Sequence, residues 1–328
     1  MTETCFIGFD TSNYTTSVAV VDGEYRVIAN LKQPLSVSEG EHGLRQSDAV
    51  FQHVKNLPAL SERLAPVLAG RTALAVGVSE RPRDRDGSYM PCFLSGVAAA
   101  SQAAAVAGLP LFRFSHQSGH LFAAMVSSRR FDLCDRPFYA YHVSGGTTEL
   151  LAVSPDENGF STEIVGGTRD LNAGQVIDRI GVALGVPFPA GPGLEKLALS
   201  YGGKIPRRKP AVSDGCVNLS GLENLATDLY RKTEDPALVA AFVFAHLSDA
   251  IVKMTEQTFA KYGERELLCA GGVMSSVILR RAISEKFSAS FAEPALSSDN
   301  AVGIAALAAR AYLRRNGKER RGRESTDL

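Results

Sequence analysis

Apolar and polar positions along the chain fall into two similar series. Cys5-Phe6-Ile7-Gly8-Phe9 and Val18-Ala19-Val20-Val21 flank a polar turn rich in hydroxyls, which predicts two strands. Asp22-Gly23 then turns the chain into a third strand over 25–31. Residues 32–45 read as loop. Helical spacing over 46–68 is expected to break near Asn56 and Pro58. A buried strand over 73–79, an alanine-rich helix over 93–107 and a strand over 111–114 follow, and a helix starts near Ser115. From 138 to 153 the opening design returns: strand, Ser/Gly/Thr turn, strand, with a third strand over 160–165. Helices are predicted over 173–184, up to Leu199, up to Arg231, over 236–262 and over 299–315, with a strand over 267–273 ending in glycines. The repeat of the strand–turn–strand design implies an internal duplication.

Size and charge narrow the classes. The chain has 328 residues, 45 % hydrophobic and 21 % charged, which is globular composition with room for two domains. Its formal net charge is zero and its pI near 7, so no whole-molecule attraction to a polyanion is expected. An RNA contact would need a local basic patch. The compact one is Lys204-Ile205-Pro206-Arg207-Arg208-Lys209, which as a default is a solvated loop. The five cysteines are scattered without a CxxC pair, and free thiols in a reducing, cytoplasmic compartment are expected. No signal peptide is evident and no uncharged apolar stretch reaches about 18 residues, so no membrane association is expected.

Candidate chemistry gathers at a few places. His116 and His120 stand four apart at the predicted start of a helix, on one face, a spacing that suits two imidazole ligands of one divalent metal. The other reading is two half-buried histidines at a helix N-terminus. Asp299, before the last helix, is a candidate third ligand. In the first turn Asp10 faces a metal or a water while Ser12 and its neighbours offer donors to a phosphate. An ordinary hairpin explains the same residues. Ser144-Gly145-Gly146-Thr147 is a second candidate phosphate turn. Asp170 precedes the helix over 173–184, which carries Gly174 and Asp178, and a carboxylate there can take ribose hydroxyls or be an ordinary polar position. Gly271-Gly272 ends a strand with bare backbone on which a flat base can lie.

Taken together, these motifs resemble the TsaD (Gcp) family of threonylcarbamoyl transferases, within the actin-like, sugar-kinase-like ATPase superfamily, over roughly residues 5 to 313. The family's His-x-x-x-His motif matches His116 and His120, and its late Asp-Asn matches Asp299 and Asn300. Its first turn matches Asp10-Thr11-Ser12, and its SGG turn matches Ser144-Gly145-Gly146. Its aspartate segment matches Gly166, Thr168, Asp170, Gly174 and Asp178, its Gly-Pro-x-x-Glu matches Gly191, Pro192 and Glu195, and its AGGV matches 270–273. The chain departs from the pattern at Thr147 (usually His), Gln175 (usually Glu) and Ser275 or Ser276 (usually Asn), as a divergent paralogue would.

The resemblance implies an α/β, two-lobed actin-like (ribonuclease H-like) fold, duplicated, with a nucleotide cleft between lobes. The first lobe would take residues 1–130 plus 295–316, the second 137–294, and 317–328 would be a basic, disordered tail. The implied activity is metal-dependent transfer of a threonylcarbamoyl group from threonylcarbamoyl-AMP to an adenine amino group in tRNA. His116, His120 and Asp299 would hold one divalent ion (iron, zinc or magnesium), with Asp10 catalytic. Ser12, Ser144, Gly145, Gly146, Thr147, Asp170, Gly174, Asp178, Gly271, Gly272 and Ser276 would bind ATP, ADP or an acyl-adenylate. A paralogous TsaB-type partner or self-dimerisation is also implied. Two alternatives stay open: a nucleotide-binding paralogue with a regulatory or assembly role, and a carbamoyltransferase acting on a small molecule.

Overall fold

The computed structural model describes residues 3–12, 14–37, 44–156, 159–297 and 300–317. These form two compact units. The first comprises the described residues of Met1–Phe131, Pro155–Ser161 and Ser298–Leu328, the second Asp132–Ser154 and Thr162–Ser297. The segment Pro155–Ser161 thus joins the first unit, because Phe160 packs on Phe122, ring centroids 6.1 Å apart.

The sheet of the first unit contains β1 (Glu3–Ser12), β2 (Thr15–Val21), β3 (Val27–Pro34), β4 (Arg71–Arg81) and β5 (Leu111–Ser115), in the order β3-β2-β1-β4-β5. β1 is antiparallel to β2 and parallel to β4. Its central place explains its unbroken apolar run: residues 5–12 are buried on both faces. On one face lie α1 (Gln46–Leu68) and α2 (Phe93–Ala107), on the other α3 (His116–Ser128) and the returning end of the chain, α10 (Val302–Arg315).

The expected break in the helix over 46–68 is absent. α1 runs through Pro58 and Pro66. Its buried stripe, Ala49, His53, Leu57, Leu60 and Leu64, keeps helical spacing across Pro58. Each buried leucine contributes about 1.5–3 kcal/mol, and together they outweigh the roughly 3 kcal/mol that an interior proline costs.

The second unit contains β6 (Phe138–Val143), β7 (Thr148–Pro155), β8 (Phe160–Thr168), β9 (Val212–Ser213), β10 (Cys216–Val217), β11 (Leu267–Ala270) and β12 (Ala289–Phe291). Their order is β12-β11-β6-β7-β8-β10-β9. Without the short β9–β10 hairpin, which no apolar run announced, this is the order of the first sheet repeated: hairpin strand, centre, then two parallel strands. The duplication expected from the sequence is there.

Its helices are α4 (Ala173–Ala183), α5 (Gly191–Ser200), α6 (Ser220–Thr233), α7 (Pro236–Tyr262), α8 (Val277–Ser284) and the short α9 (Pro294–Ser297). Asp235 caps α7 by accepting from the amides of Ala237 and Leu238. By length and composition α7 would pass as a membrane span, but 78 % of its apolar window is buried, and it packs against Tyr139, Tyr141 and Leu267 in the core of this unit. It is a core helix.

Candidate functional site

In the first unit the candidate residues meet at the end of β1. Asp10, Ser12, Gly8 and Phe6 alternate with Thr11, Phe9 and Ile7, so the two sets point to opposite faces. Thr11 faces α2, where its hydroxyl donates to the Cys92 carbonyl and accepts from the Gly96 amide. Asp10 faces α3. Its Oδ1 accepts from the Ser12 amide at 2.9 Å, and its Oδ2 lies 2.7 Å from His116 Nδ1. The other ring nitrogen, His116 Nε2, lies 2.9 Å from His120 Nε2.

An ionised carboxylate only accepts, so His116 Nδ1–H donates to Asp10, and in the neutral ring Nε2 then carries the lone pair that faces His120. The helix is held at the right depth by glycine. A Cβ on Gly303 would come within 1.8 Å of the Gly119 carbonyl oxygen, so α10 and α3 touch backbone to backbone beside His120.

The residues fit a divalent ion. Two imidazole nitrogens on one tetrahedral ion stand about 3.3 Å apart at metal–nitrogen distances near 2.05 Å, so the rings need open by only a few tenths of an ångström. Imidazole donors suit zinc or iron better than magnesium, which prefers oxygen. Asp10 stands against His116 Nδ1, on the side of the ring away from His120, and so orients that ring. Two buried hydroxyls on this sheet face, Ser12 Oγ and Ser79 Oγ, have no hydrogen-bond partner among the described residues. Ser79 follows Val78, the partner of Phe9, so it sits beside Asp10. Nothing in its sequence context marks it. The expected third ligand, Asp299, lies outside the described residues, and among those no group of three or more His, Cys, Asp or Glu is arranged to hold a metal.

His53 and His246 are structural. His53 is fully buried with Nδ1 2.9 Å from Thr16 Oγ1, and burial lowers its pKa. His246 is buried in α7 and lowered in the same way. His42 lies outside the described residues.

In the second unit the candidate residues gather at the carboxyl ends of β6 and β11, which are parallel neighbours. Ser144 to Thr147 forms a tight turn, with the Ser144 amide donating to the Thr147 carbonyl at 2.8 Å and the Gly146 amide to Ser144 Oγ at 3.3 Å. Gly145 and Gly146 are exposed. The N-terminus of α4 presses on this turn. A Cβ on Gly174 would meet the Ser144 carbonyl at 2.6 Å and Gly145 Cα at 2.7 Å, and the Ala173 amide donates to Thr148 Oγ1 at 2.9 Å. A glycine turn and a helix N-terminus together present several amides to an anion. Gly271 follows β11 with φ +98°, and a Cβ there would lie 2.2 Å from the Val143 carbonyl oxygen. Gly272 is exposed with open space above it.

Asp170 and Asp178 make hydrogen bonds within the protein. Asp170 accepts from the amides of Leu171 and Leu219, both at 2.7 Å, and from the amide and hydroxyl of Ser220, so it ties two loops together. Burial pushes its pKa up, but the bonds from Ser220 Oγ and the three amides outweigh this and hold it at about 2. Its lone pairs are largely taken, which leaves little for a ribose. Asp178 accepts from the Ala190 amide at 2.8 Å, linking α4 to the turn before α5, and burial raises its pKa.

Two departures keep a structural role. Gln175 closes a capping box with Asn172, whose amide donates to Gln175 Oε1 at 3.0 Å, as a glutamate would. Ser276 caps α8 by accepting from the Leu279 amide and donates to Glu195. Thr147 contributes its carbonyl to the turn.

A model of the family described as "TsaD: tRNA N6-adenosine threonylcarbamoyltransferase" matches residues 49–306. This chain belongs to the TsaD family. The TsaD relative from Moorella thermoacetica is 30% identical over 332 residues, 96% of this chain and 94% of the relative. That from Geobacillus thermodenitrificans is 31% identical over 319 residues, covering 92% and 89%. Both are named tRNA N6-adenosine threonylcarbamoyltransferase. Solved structures share the fold at much lower identity. HypF of T. kodakarensis matches with a TM-score of 0.61 at 13% identity, over 95% of this chain and 48% of that one. A ROK family glucokinase from Streptomyces griseus, in complex with glucose and AMPPNP, matches with a TM-score of 0.51 at 14% identity, over 93% and 99%. The chain is therefore an enzyme of the TsaD transferase family on the two-unit fold of sugar kinases.

Proposed function

We propose that this TsaD-family chain moves a threonylcarbamoyl group from threonylcarbamoyl-AMP to the N6 amino group of an adenine in tRNA, with His116 and His120 as ligands of one zinc or iron ion and Asp299 as the third. The observation that carries the metal reading is the convergence of the two Nε2 atoms, with His116 turned by Asp10. When bound, the ion supplies a Lewis acid for the carbamoyl carbonyl or the phosphate. In the reaction the adenine nitrogen forms a bond to the carbamoyl carbon. The bond from that carbon to the phosphate oxygen breaks, AMP leaves, and the nitrogen's proton passes to a base or to solvent.

The chain's own residues do the holding. The amides of Gly145 and Gly174, with that of Gly146 once released from Ser144 Oγ, take the phosphate, and the bare backbone at Gly272 takes the adenine face. Asp170 and Asp178 act as positioning residues that keep the loops around α4 in place. The exposed Lys204, Arg208 and Lys209 are a local cationic patch for RNA phosphates, on a loop anchored by Arg207 to Asp249. The five free cysteines suit a reducing, cytoplasmic setting.

Purified protein is incubated with threonine, bicarbonate, ATP, the adenylate-forming protein, a TsaB-type partner and unmodified tRNA. Mass spectrometry of the digested tRNA should reveal threonylcarbamoyladenosine. If none forms although nucleotide and metal are bound, the transfer reading is wrong and a nucleotide-binding paralogue replaces it. If the group is instead found on a small acceptor, and tRNA affinity is independent of salt, the acceptor is not RNA.

A further inference from the structure

We infer that Asp84 is a positioning residue for the His116–His120 pair. It lies on the charged loop after β4, whose composition suggests only a solvated turn, yet its carboxylate is engaged on both sides. Oδ1 is held by Arg81 Nη2 at 2.9 Å. Oδ2 accepts from Ser118 Oγ at 2.6 Å and from Ser115 Oγ. Both serines are buried, at 0% and 3% exposure.

Ser115 is the N-cap of α3, and its hydroxyl oxygen accepts from the Ser118 amide at 2.9 Å. A hydroxyl has one proton to give. Because Asp84 takes it, the lone pair of Ser115 is turned toward the helix amide. The neighbouring amide, Gln117 N, donates to the Pro82 carbonyl on the same loop at 3.0 Å. Residues 81–84 therefore satisfy or orient the partners of two amides that the helix leaves unbonded in its first turn. The carboxylate also sits at the positive end of the helix dipole.

His116 is the first residue of that turn. Its ring is fixed at one end by Asp10 and meets His120 at the other. If the turn unwinds, His116 shifts relative to His120, whose place on the second turn is set by the contact between Gly119 and Gly303. Asp84 thus holds the distance between the two Nε2 atoms without touching either ring. The metal part of this inference rests on the metal reading above, whereas the ring geometry does not.

The test compares the full-length protein with Asp84→Ala, Asp84→Asn and Ser118→Ala. Long-range proton–nitrogen spectra of the metal-free protein report the His116 tautomer and its Asp10 bond. Zinc affinity is measured by competition with a chromophoric chelator. Asp84→Ala should shift the His116 nitrogens and weaken zinc by about 10–100-fold, the usual cost of losing an outer partner of a ligand. Asp84→Asn, which keeps one acceptor oxygen, should restore part of both. Ser118→Ala removes one of the two hydroxyl bonds and leaves the N-cap, so it should fold and give a smaller shift of the same sign. Unshifted His116 signals in both Asp84 variants would overturn the inference. If Asp84→Ala fails to fold, Asp84→Asn and Ser118→Ala decide by the same signals. A parent protein that binds no zinc, while its His116 signals still depend on Asp84, would overturn the metal reading and leave this inference standing.

Discussion

The two units carry the same strand order and build their candidate sites from different material. At the end of β1 the first unit uses side chains: Asp10, His116 and His120 form one hydrogen-bonded line. At the corresponding end of β6 the second unit uses backbone: a serine-glycine turn, the first turn of α4 and the Gly271-Gly272 step. A side-chain site fails when an atom is removed. A backbone site fails when an atom is added. Substitutions can test this contrast directly.

The largest effect is expected at Gly271. Adding one methyl group places a Cβ 2.2 Å from the Val143 carbonyl at a φ of +98°. Gly271→Ala should destabilise the second unit by about 3–5 kcal/mol through overpacking and backbone strain, seen as a lower urea midpoint. An unchanged midpoint would mean that this junction is looser than its contacts imply.

His116→Ala is the matching deletion in the first unit. Zinc affinity should fall by more than about 100-fold, since one of the two proposed imidazole ligands is gone. Stability should fall by about 1–3 kcal/mol, because the deletion takes the imidazole partner from the buried Asp10 carboxylate. Unchanged metal content would remove this residue from the metal site.

Asp170 gives a pH signature to the second unit. Its folded pKa, at about 2, lies below the ordinary carboxylate value of 3.8. The folded state therefore binds that proton less readily than the unfolded chain does. The stabilisation is complete above the ordinary value and is lost as pH falls from about 4 to about 2. Asp170→Asn should flatten the acid limb of a urea-midpoint series over that window. An identical limb in both proteins would show that the carboxylate is not the group responsible.

The smallest structural effect is expected at Gly272, where a Cβ meets nothing within 4 Å. Gly272→Ala should leave stability within about 0.5 kcal/mol of the parent yet weaken adenine nucleotide binding several-fold in a calorimetric titration. Unaltered nucleotide affinity would place the base elsewhere. Together with Gly271→Ala this separates the glycine that shapes the fold from the glycine that leaves room for a ligand.

Much of this was legible in the sequence for identifiable reasons. Apolar periodicity located α2 and α7 at their observed limits, and the repeated strand–turn–strand design announced the duplicated sheet order. The His116/His120 spacing placed both rings on one helical face, since spacing of four is a property of the helix alone. Other features were hidden. The β9–β10 hairpin has two-residue strands without alternation. α1 crosses Pro58 because three leucines packed on the sheet outweigh a local preference. The bonds that Asp170 accepts from residues 219 and 220 were hidden, because a sequence does not say where such long-range hydrogen bonds will end.

By itself the sequence determined which residues can be buried, where helices and strands begin, and which side chains have metal-binding or phosphate-binding chemistry. Those are properties of neighbours a few residues apart. Only the tertiary structure decided that Asp10 turns His116 toward His120, that Asp84 reaches back to two serines of α3, and that Gly174 closes on the Ser144 turn. Each of these joins segments tens of residues apart. Their meeting depends on how the sheet and helices pack, and local pattern carries no record of that.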